Sequence, residues 1–152
     1  MQEKSFPRWM TVVLRLAAVY NILWGAWVTL FPYHFFDMVG LERPNYAAIW
    51  QAVGMIVGCY GIAYWVASYN PYKHWGIVFV GFLGKVAGPI GFVQHVYLGT
   101  LPLVFGLHNI TNDVIWWIPF GIILYQAYKI HKTNPSKEKV PVSSQKPVKH
   151  FA

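Results

Sequence analysis

A single lysine interrupts the apolar stretch W-G-I-V-F-V-G-F-L-G-K-V-A-G-P-I-G-F-V, which runs from Trp75 to Val93. Lys85 lies about 15 Å into this stretch at 1.5 Å per helical residue, so its ammonium is poorly placed to reach water at either end. A lysine at the centre of a membrane helix costs about 2.5–3.5 kcal/mol on insertion scales. Pro89 follows one helical turn later and has no N–H, so the Lys85 carbonyl loses its helical hydrogen bond. The spacing predicts a kink that places an ammonium, a free carbonyl and several glycines together.

Two roles for Lys85 follow from this position, and the sequence does not decide between them. In the first, the kink holds a ligand oxygen, because ionisable groups inside a membrane are costly and usually functional. In the second, Lys85 is structural and is held by Asn21 or by backbone oxygens. Asn21 and Gln51 lie on the small-residue faces of two other apolar stretches. We therefore expect Asn21, Gln51 and Lys85 to form a polar core, which is also the expected ligand site.

Asp113, in T-N-D-V-I-W-W-I-P-F, is the one acidic residue near the last apolar stretch. A pair with Lys85 would neutralise two charges at once. Asp113 is expected near the membrane boundary, however, whereas Lys85 is central, so the pair requires an earlier helix start or a shifted register at the kink. A carboxylate in a first helical turn also stabilises the positive end of the helix dipole. We favour this capping role and keep Asp113 as a further candidate for the polar core.

Three histidines, His34, His95 and His108, are expected on the membrane side opposite to the termini. Together with Asp37 and Asp113 they supply imidazole and carboxylate groups, which suit zinc or copper, and two imidazoles are able to hold haem. Their spacing matches no HExxH, CxxC or CxxCH pattern. We therefore expect no metal site and interpret these histidines as polar helix ends.

The composition indicates an integral membrane protein. Of the 152 residues, 56% are hydrophobic, 18% are aromatic and 11% are charged, whereas soluble domains are about 25% charged. The net charge is +7, but six of the twelve Lys/Arg residues lie from Lys129 onward. Anionic lipid attracts a basic segment of this kind beside a membrane helix. No base-stacking module accompanies the charge, so we expect no nucleic-acid partner.

Four stretches are long enough to cross a bilayer, which needs about 20 apolar residues. They are expected near residues 9–31, 46–68, 75–97 and 111–130, so the predicted fold is an all-α bundle of four transmembrane helices within residues 1–132. A helix from Pro102 to Ile130 would be about 43 Å long, too long for one upright span. We therefore place the start of the last helix near Thr111 and assign 101–107 to the membrane interface.

The Lys/Arg distribution predicts the orientation of the helices. Lys4 and Arg8 precede the first stretch, Lys73 lies in the second loop and six lysines lie from Lys129 onward, whereas the first loop holds only Arg43 and the third loop holds none. Both termini are therefore expected in the cytoplasm, with the chain a multi-pass protein of the inner membrane. Residues 133–152 are rich in Pro, Ser and Lys without periodicity, and we expect a disordered basic tail.

Glycines recur at helical spacing in the second and third stretches, at 54, 58 and 61 and at 81, 84, 88 and 91. In lipid, helices associate where small residues let their backbones approach. These stripes predict a compact bundle, and they also offer faces for a membrane partner or a second copy of the chain.

The first stretch, R-L-A-A-V-Y-N-I-L-W-G-A-W-V-T-L-F-P, and the glycine-rich second stretch resemble the DoxX-like small four-helix bacterial membrane proteins. Two later pieces, L-G-K-V-A-G-P-I-G-F and the one around Asp113, look like an uncharacterised subgroup that is sometimes labelled alkyl hydroperoxide reductase. Thiol peroxidase chemistry needs an accessible, low-pKa cysteine and usually a second one. The chain has only Cys59, in mid-stretch and without a neighbouring cation, which argues against that label. The resemblance implies a redox- or quinone-associated membrane setting, and it assigns no role to a matched residue.

Three functions are therefore weighed, and no cofactor is assigned. The first is a non-enzymatic accessory or interaction subunit with a polar core around Lys85. The second is a redox-associated membrane protein that binds a quinone or another lipid-soluble ligand. The third is a small proton-coupled transporter that acts as a dimer. No nucleophile elbow, P-loop or dinucleotide motif is present, so we expect a non-enzyme.

Overall fold

Helices provide all the regular secondary structure of the residues that the structure describes. The structure is a computed structural model, and it describes residues 5–133. Six α-helices and one 3₁₀ turn follow one another along the chain: α1 Arg8–Leu30, α2 His34–Val39, α3 Ala47–Ala67, α4 Trp75–Tyr97, α5 Phe105–Asn112, the 3₁₀ turn Val114–Trp116, and α6 Trp117–Thr133. The predicted all-α class is confirmed for this part of the chain.

The helices α1 and α3 pack along a seam of small residues. A methyl group added to Gly61 would lie 2.8 Å from the carbonyl oxygen of Ala18, and one on Gly54 would lie 2.9 Å from that of Gly25. Only hydrogen fits at such a separation, so these glycines allow the two backbones to touch. The seam predicted from the glycine spacing is therefore present between α1 and α3.

The helices α4 and α6 pack against the α1–α3 pair around a buried apolar core. The ring of Tyr64 in α3 meets the ring of Phe120 in α6 edge-on, with centroids 5.2 Å apart. Apolar side chains with almost no exposed surface surround this contact: Met10, Leu14, Ala17, Val78 and Ile123.

The bundle has two ends, which we name by the segments that they hold. The terminal end holds residues 5–8, 68–75 and 131–133, and ring contacts of Phe6 with Tyr72 and of Trp75 with His131 join these segments. The loop end holds residues 31–46 and 98–112, where Phe35 contacts Phe105.

Three helices are long and apolar enough to cross a membrane: α1, α3 and α4. Their outer faces carry large apolar side chains that are exposed in the bundle, such as Leu23, Ile56 and Ile90. Apolar surface of this extent is unfavourable in water and natural in lipid. These helices point to a membrane protein.

The last helix differs from the expectation. The start was expected near Thr111, but Thr111 lies in α5, and α6 begins at Trp117. The α-helical conformation is interrupted at Asp113, between α5 and α6. A single long helix from Pro102 to Ile130 is therefore not formed. With 17 residues, α6 is about 26 Å long at 1.5 Å per residue. The predicted tail at 133–152 falls, apart from Thr133, outside the described residues.

Candidate functional site: a buried ion pair at a helix break

Lys85 and Asp113 form an ion pair inside the bundle. The Nζ atom of Lys85 lies 3.4 Å from Oδ1 of Asp113, and both side chains are less than a tenth exposed. A shorter contact joins Nζ to the carbonyl oxygen of Asn112, at 2.6 Å. The Asn112 side chain also donates to Oδ1 of Asp113, at 2.8 Å. The ammonium is therefore held by a carboxylate and a backbone oxygen together.

The break after α5 explains why the ammonium lies there. The last carbonyls of a helix have no partner within the helix, and its carboxyl end carries a partial negative charge. Asn112 is the last residue of α5. The Lys85 ammonium thus meets a free carbonyl, the negative end of a helix and a carboxylate, all of which favour a cation.

Trp117 satisfies the carbonyl that Pro89 leaves free. Its indole nitrogen donates to the carbonyl oxygen of Lys85, at 2.9 Å. The predicted loss of the helical hydrogen bond at this carbonyl is therefore compensated by a side chain of the neighbouring helix. The predicted juxtaposition of ammonium and carbonyl at one turn of α4 is found, with a different partner for each group.

The Asp113 side chain pairs with Lys85 and, in the described structure, forms no capping hydrogen bond of the kind that a capping residue makes. Asp113 is the residue before the 3₁₀ turn. Its depth was misjudged because residues 105–112 were not expected to form a helix that runs back into the bundle. Since α5 does so, Asp113 reaches the level of Lys85.

A cavity of about 310 Å³ adjoins the ion pair. Tyr60 and Tyr64 of α3 and Asn21 of α1 contribute hydroxyl and amide groups to its lining, beside Lys85 and Asp113. Asn112 adds a further amide, and the rest of the wall is apolar or glycine: Val53, Val57, Gly81, Gly84 and Gly88.

The cavity opens on the face of the bundle between α3 and α4. Val53 of α3 and both Gly84 and Gly88 of α4 line it and are exposed. In a bilayer this face would meet lipid chains, because α3 and α4 are two of the three apolar helices. A molecule dissolved in the membrane therefore has a direct route to the ion pair.

Two amide oxygens in the cavity wall, Oδ1 of Asn21 and Oδ1 of Asn112, have no hydrogen-bond partner among the described residues, and Asn21 is the more buried residue. It is 2% exposed, and its Oδ1 atom receives no hydrogen bond from any residue between 5 and 133. A buried amide oxygen left unpaired costs about 1–3 kcal/mol. Such a cost is avoided when water or a ligand in the cavity supplies a donor.

The structure brings three of the four predicted core residues together and leaves one apart. Asn21, Lys85 and Asp113 line one cavity. Gln51 instead donates from Nε2 to the carbonyl oxygen of Thr29, at 2.8 Å, where it joins α3 to the end of α1. The periodicity correctly placed Gln51 on the face toward α1, but its height along the helix separates it from the cavity.

The three histidines occupy separate surroundings. The ring of His34 accepts a hydrogen bond from the Trp27 indole, at 3.1 Å. His95 contacts the Thr100 hydroxyl, at 2.8 Å. His108 stacks on Trp24. Within residues 5–133, no group of three or more His, Cys, Asp or Glu side chains is arranged to hold a metal ion.

His108 lies in an aromatic cluster at the loop end of the bundle. Its ring stacks on Trp24 with centroids 5.4 Å apart, and it also contacts the rings of Phe35 and Phe105. Burial among these rings, and secondarily the positive charge of Lys85, lowers the pKa of His108 to about 4. The imidazole is therefore neutral near pH 7.

Cys59 is exposed on α3 and lines a shallow surface depression with Met55, Ile56 and Ala63. It is thus on the apolar outer surface, and the cavity around Lys85 is lined by other residues. The depression and the cavity share one lining residue, Tyr60, and Cys59 itself does not line the cavity.

Three members of the site were missed by the sequence analysis: Asn112, Tyr64 and Trp117. The free carbonyl of Lys85 was a signal that some donor must lie nearby, but the W-W pair does not say which indole supplies it. Tyr64 packs its ring directly on Gly81, a contact between two helices that the spacing within one span does not reveal. Asn112 acts through its backbone oxygen, which no residue type reveals.

Protein-family models, curated proteins and solved structures contain no match to this chain. The resemblance to DoxX-like proteins therefore stays a prediction, and the function is argued from the geometry of the site.

Proposed function

We propose that this chain is a small four-span membrane protein that binds a neutral, lipid-soluble molecule in the cavity beside Lys85 and Asp113. The observation that carries the proposal is the unpaired amide oxygen of Asn21, buried in the wall of a cavity that opens between two apolar helices. In this proposal α6 forms the fourth span, both termini lie in the cytoplasm, and the membrane is the bacterial inner membrane.

The charges of the site favour a neutral ligand. Lys85 and Asp113 neutralise one another, so a charged ligand would bring an uncompensated charge into an apolar wall. The ammonium has three N–H groups, and its protein partners in residues 5–133 are the Asn112 carbonyl and the Asp113 carboxylate. One N–H is thus available to an acceptor oxygen in the cavity. A carbonyl compound with an apolar body fits this pattern.

The volume is consistent with such a ligand. Small-molecule sites usually measure about 300–1,000 Å³, and the cavity lies at the lower end of that range. A ring system or a short chain fits inside, and a longer apolar tail would leave through the opening between α3 and α4. Quinones, which carry two carbonyl oxygens, belong to this chemical class, so the redox-associated alternative is one case of the proposal.

The proposal describes a binding protein without chemistry of its own, consistent with an accessory subunit. The DoxX-like resemblance is part of the same proposal: the chain is proposed to be a DoxX-like membrane protein with this binding role.

A pair of glycine variants tests the proposal. Gly84 lines the cavity, and no described atom lies within 4 Å of a methyl group added there. Gly84→Leu would therefore fill the cavity without forcing the backbones apart. Gly91 has equally open surroundings in the described structure and lies away from the cavity, so Gly91→Leu is the matched control.

The measurement is organic extraction and mass spectrometry of the purified full-length protein. We expect wild type and Gly91→Leu to retain the same neutral carbonyl compound in near-stoichiometric amount, and Gly84→Leu to lose it while its melting temperature in detergent is kept. An empty wild-type protein in repeated preparations would refute the proposal, as would equal retention by the two variants.

A further inference from the structure

A groove lined mostly by aromatic side chains lies between α4 and α6, at the terminal end of the bundle. Its volume is about 450 Å³, and its lining residues are Trp75, Phe79, Leu124, Tyr128 and His131. We call it the terminal groove. It is separate from the Lys85 cavity, because the two share no lining residue.

The terminal groove is polar at one end and apolar at the other. Trp75 begins α4, and His131 lies in the last turn of α6, so these side chains are at the level where helices leave a membrane. Leu124 lies seven residues before His131, about 10 Å deeper at 1.5 Å per residue. Tryptophan and tyrosine prefer the interface between lipid chains and head groups. The groove thus runs from head-group level into the region of the acyl chains.

A lysine lies beside its polar end. The Lys132 ammonium lies over the ring of Tyr128, 5.9 Å from the centroid, and Tyr128 lines the groove. His131 is itself part of the lining, and Lys73 is two residues before Trp75. The acids of residues 5–133 lie elsewhere: Asp37 and Glu42 at the loop end, and Asp113 in the ion pair. A ligand with one negative charge is therefore attracted to this end.

We propose that the terminal groove binds one anionic phospholipid. Lys132 and His131 contact the phosphate, and an acyl chain lies against Phe79 and Leu124. Each lysine near an anionic membrane surface contributes about 1 kcal/mol to lipid binding. The aromatic wall adds a defined binding surface, which diffuse electrostatic attraction to the membrane does not provide. The proposal depends on neither the Lys85 cavity nor its ligand.

The chain contains its own matched control for this site. Tyr125 and Lys129 repeat the Tyr128–Lys132 arrangement one turn earlier in α6, with the Lys129 ammonium 5.5 Å from the ring centroid. Tyr125 and Tyr128 are 62% and 61% exposed, but only Tyr128 belongs to the groove. Substitutions in the two pairs change charge and exposed area equally, so a difference in lipid affinity between them is due to the groove.

Native mass spectrometry of the full-length protein in detergent, titrated with phosphatidylglycerol and with phosphatidylcholine of the same acyl chains, provides the test. We expect one phosphatidylglycerol per chain, bound more tightly than phosphatidylcholine. Lys132→Gln should weaken this binding about fivefold, the factor that corresponds to about 1 kcal/mol, and Tyr128→Ala should weaken it as well. Lys129→Gln and Tyr125→Ala should change it much less.

Three results would overturn the proposal. Equal affinity for the two lipids would show that the head-group charge is not recognised. Equal losses within each matched pair of variants would show diffuse attraction to the basic end of the chain. A dimer without bound lipid would show that a second copy covers the groove instead.

Discussion

Trp117 donates its indole N–H to the carbonyl oxygen of Lys85, at 2.9 Å, across the contact between α4 and α6. In return, the Lys85 ammonium donates to the carbonyl oxygen of Asn112, at 2.6 Å, where the preceding helix ends. Pro89 leaves one carbonyl of α4 free and the end of α5 leaves another, and each carbonyl receives its donor from the opposite segment. Unpaired backbone oxygens are very costly in lipid, so this exchange allows both carbonyls to lie beside a cavity.

The first prediction concerns the indole of Trp117. Trp117→Phe removes the donor and leaves the Lys85 carbonyl unpaired, which should lower the free energy of unfolding by about 1–3 kcal/mol beyond the loss of packing. Trp116→Phe is the control, because the Trp116 indole nitrogen is buried and has no partner among the described residues. Denaturation of both variants in mixed micelles measures the difference. Equal losses would mean that the hydrogen bond contributes nothing.

Pro89 provides a second check of the same hydrogen bond. Pro89→Ala restores a backbone N–H that is able to reach the Lys85 carbonyl within α4. In that background the extra cost of Trp117→Phe over Trp116→Phe should fall toward zero. An undiminished cost would show that Trp117 acts through packing and not through the carbonyl.

The second prediction concerns the ion pair. Lys85→Met leaves the Asp113 carboxylate buried without its partner, and a single broken buried pair costs about 3–5 kcal/mol. Lys85→Met combined with Asp113→Leu should lose less than the sum of the two single changes, by about 1–3 kcal/mol. Lys73→Met, at an exposed lysine, controls for the loss of charge. Strict additivity in this cycle would contradict an energetic coupling between Lys85 and Asp113.

Much of the fold could be predicted because it depends on long apolar runs with clear stops. The expected spans at 9–31, 46–68 and 75–97 agree within one residue with α1, α3 and α4, since Pro32 and the Asn70-Pro71 turn end the first two. The free carbonyl of Lys85 could be predicted for a local reason, since proline removes one identified hydrogen bond.

The rest depends on contacts between distant segments. Residues 105–112 contain Gly106, His108 and two asparagines, which gives them no strong helical or apolar pattern. Their helix is stabilised by packing of Phe105 and His108 on Phe35, a contact across about seventy positions of the chain that periodicity does not show. Because that helix was not foreseen, neither was the depth of Asp113.

The third prediction concerns the seam between α1 and α3. A methyl group at Gly25 would overlap the backbone oxygen of Gly54 and lie 2.8 Å from the backbone nitrogen of Gly58. Backbone atoms cannot turn aside, so Gly25→Ala should separate the helices and cost roughly 1–3 kcal/mol. Gly58→Ala meets no described atom within 4 Å and should stay within about 0.5 kcal/mol of wild type. Similar melting temperatures for the two variants would contradict the close approach.

The fourth prediction concerns pH and His108. Burial lowers the pKa of this imidazole to about 4 from its ordinary value of 6.5, so below pH 6.5 the unfolded chain binds a proton that the folded chain does not bind. The free energy of unfolding should therefore decline as the pH falls from 6.5 toward 4, by up to roughly 3 kcal/mol at 1.36 kcal/mol per pKa unit, and the decline from His108 should level off below pH 4. His108→Phe keeps a ring against Trp24 and Phe35 but cannot titrate. The difference between wild type and this variant, measured by denaturation across that pH range, isolates the imidazole from the carboxylates that titrate nearby. A difference that does not change with pH would mean that the folded protein accommodates a charged His108, and that the aromatic cluster is open to water.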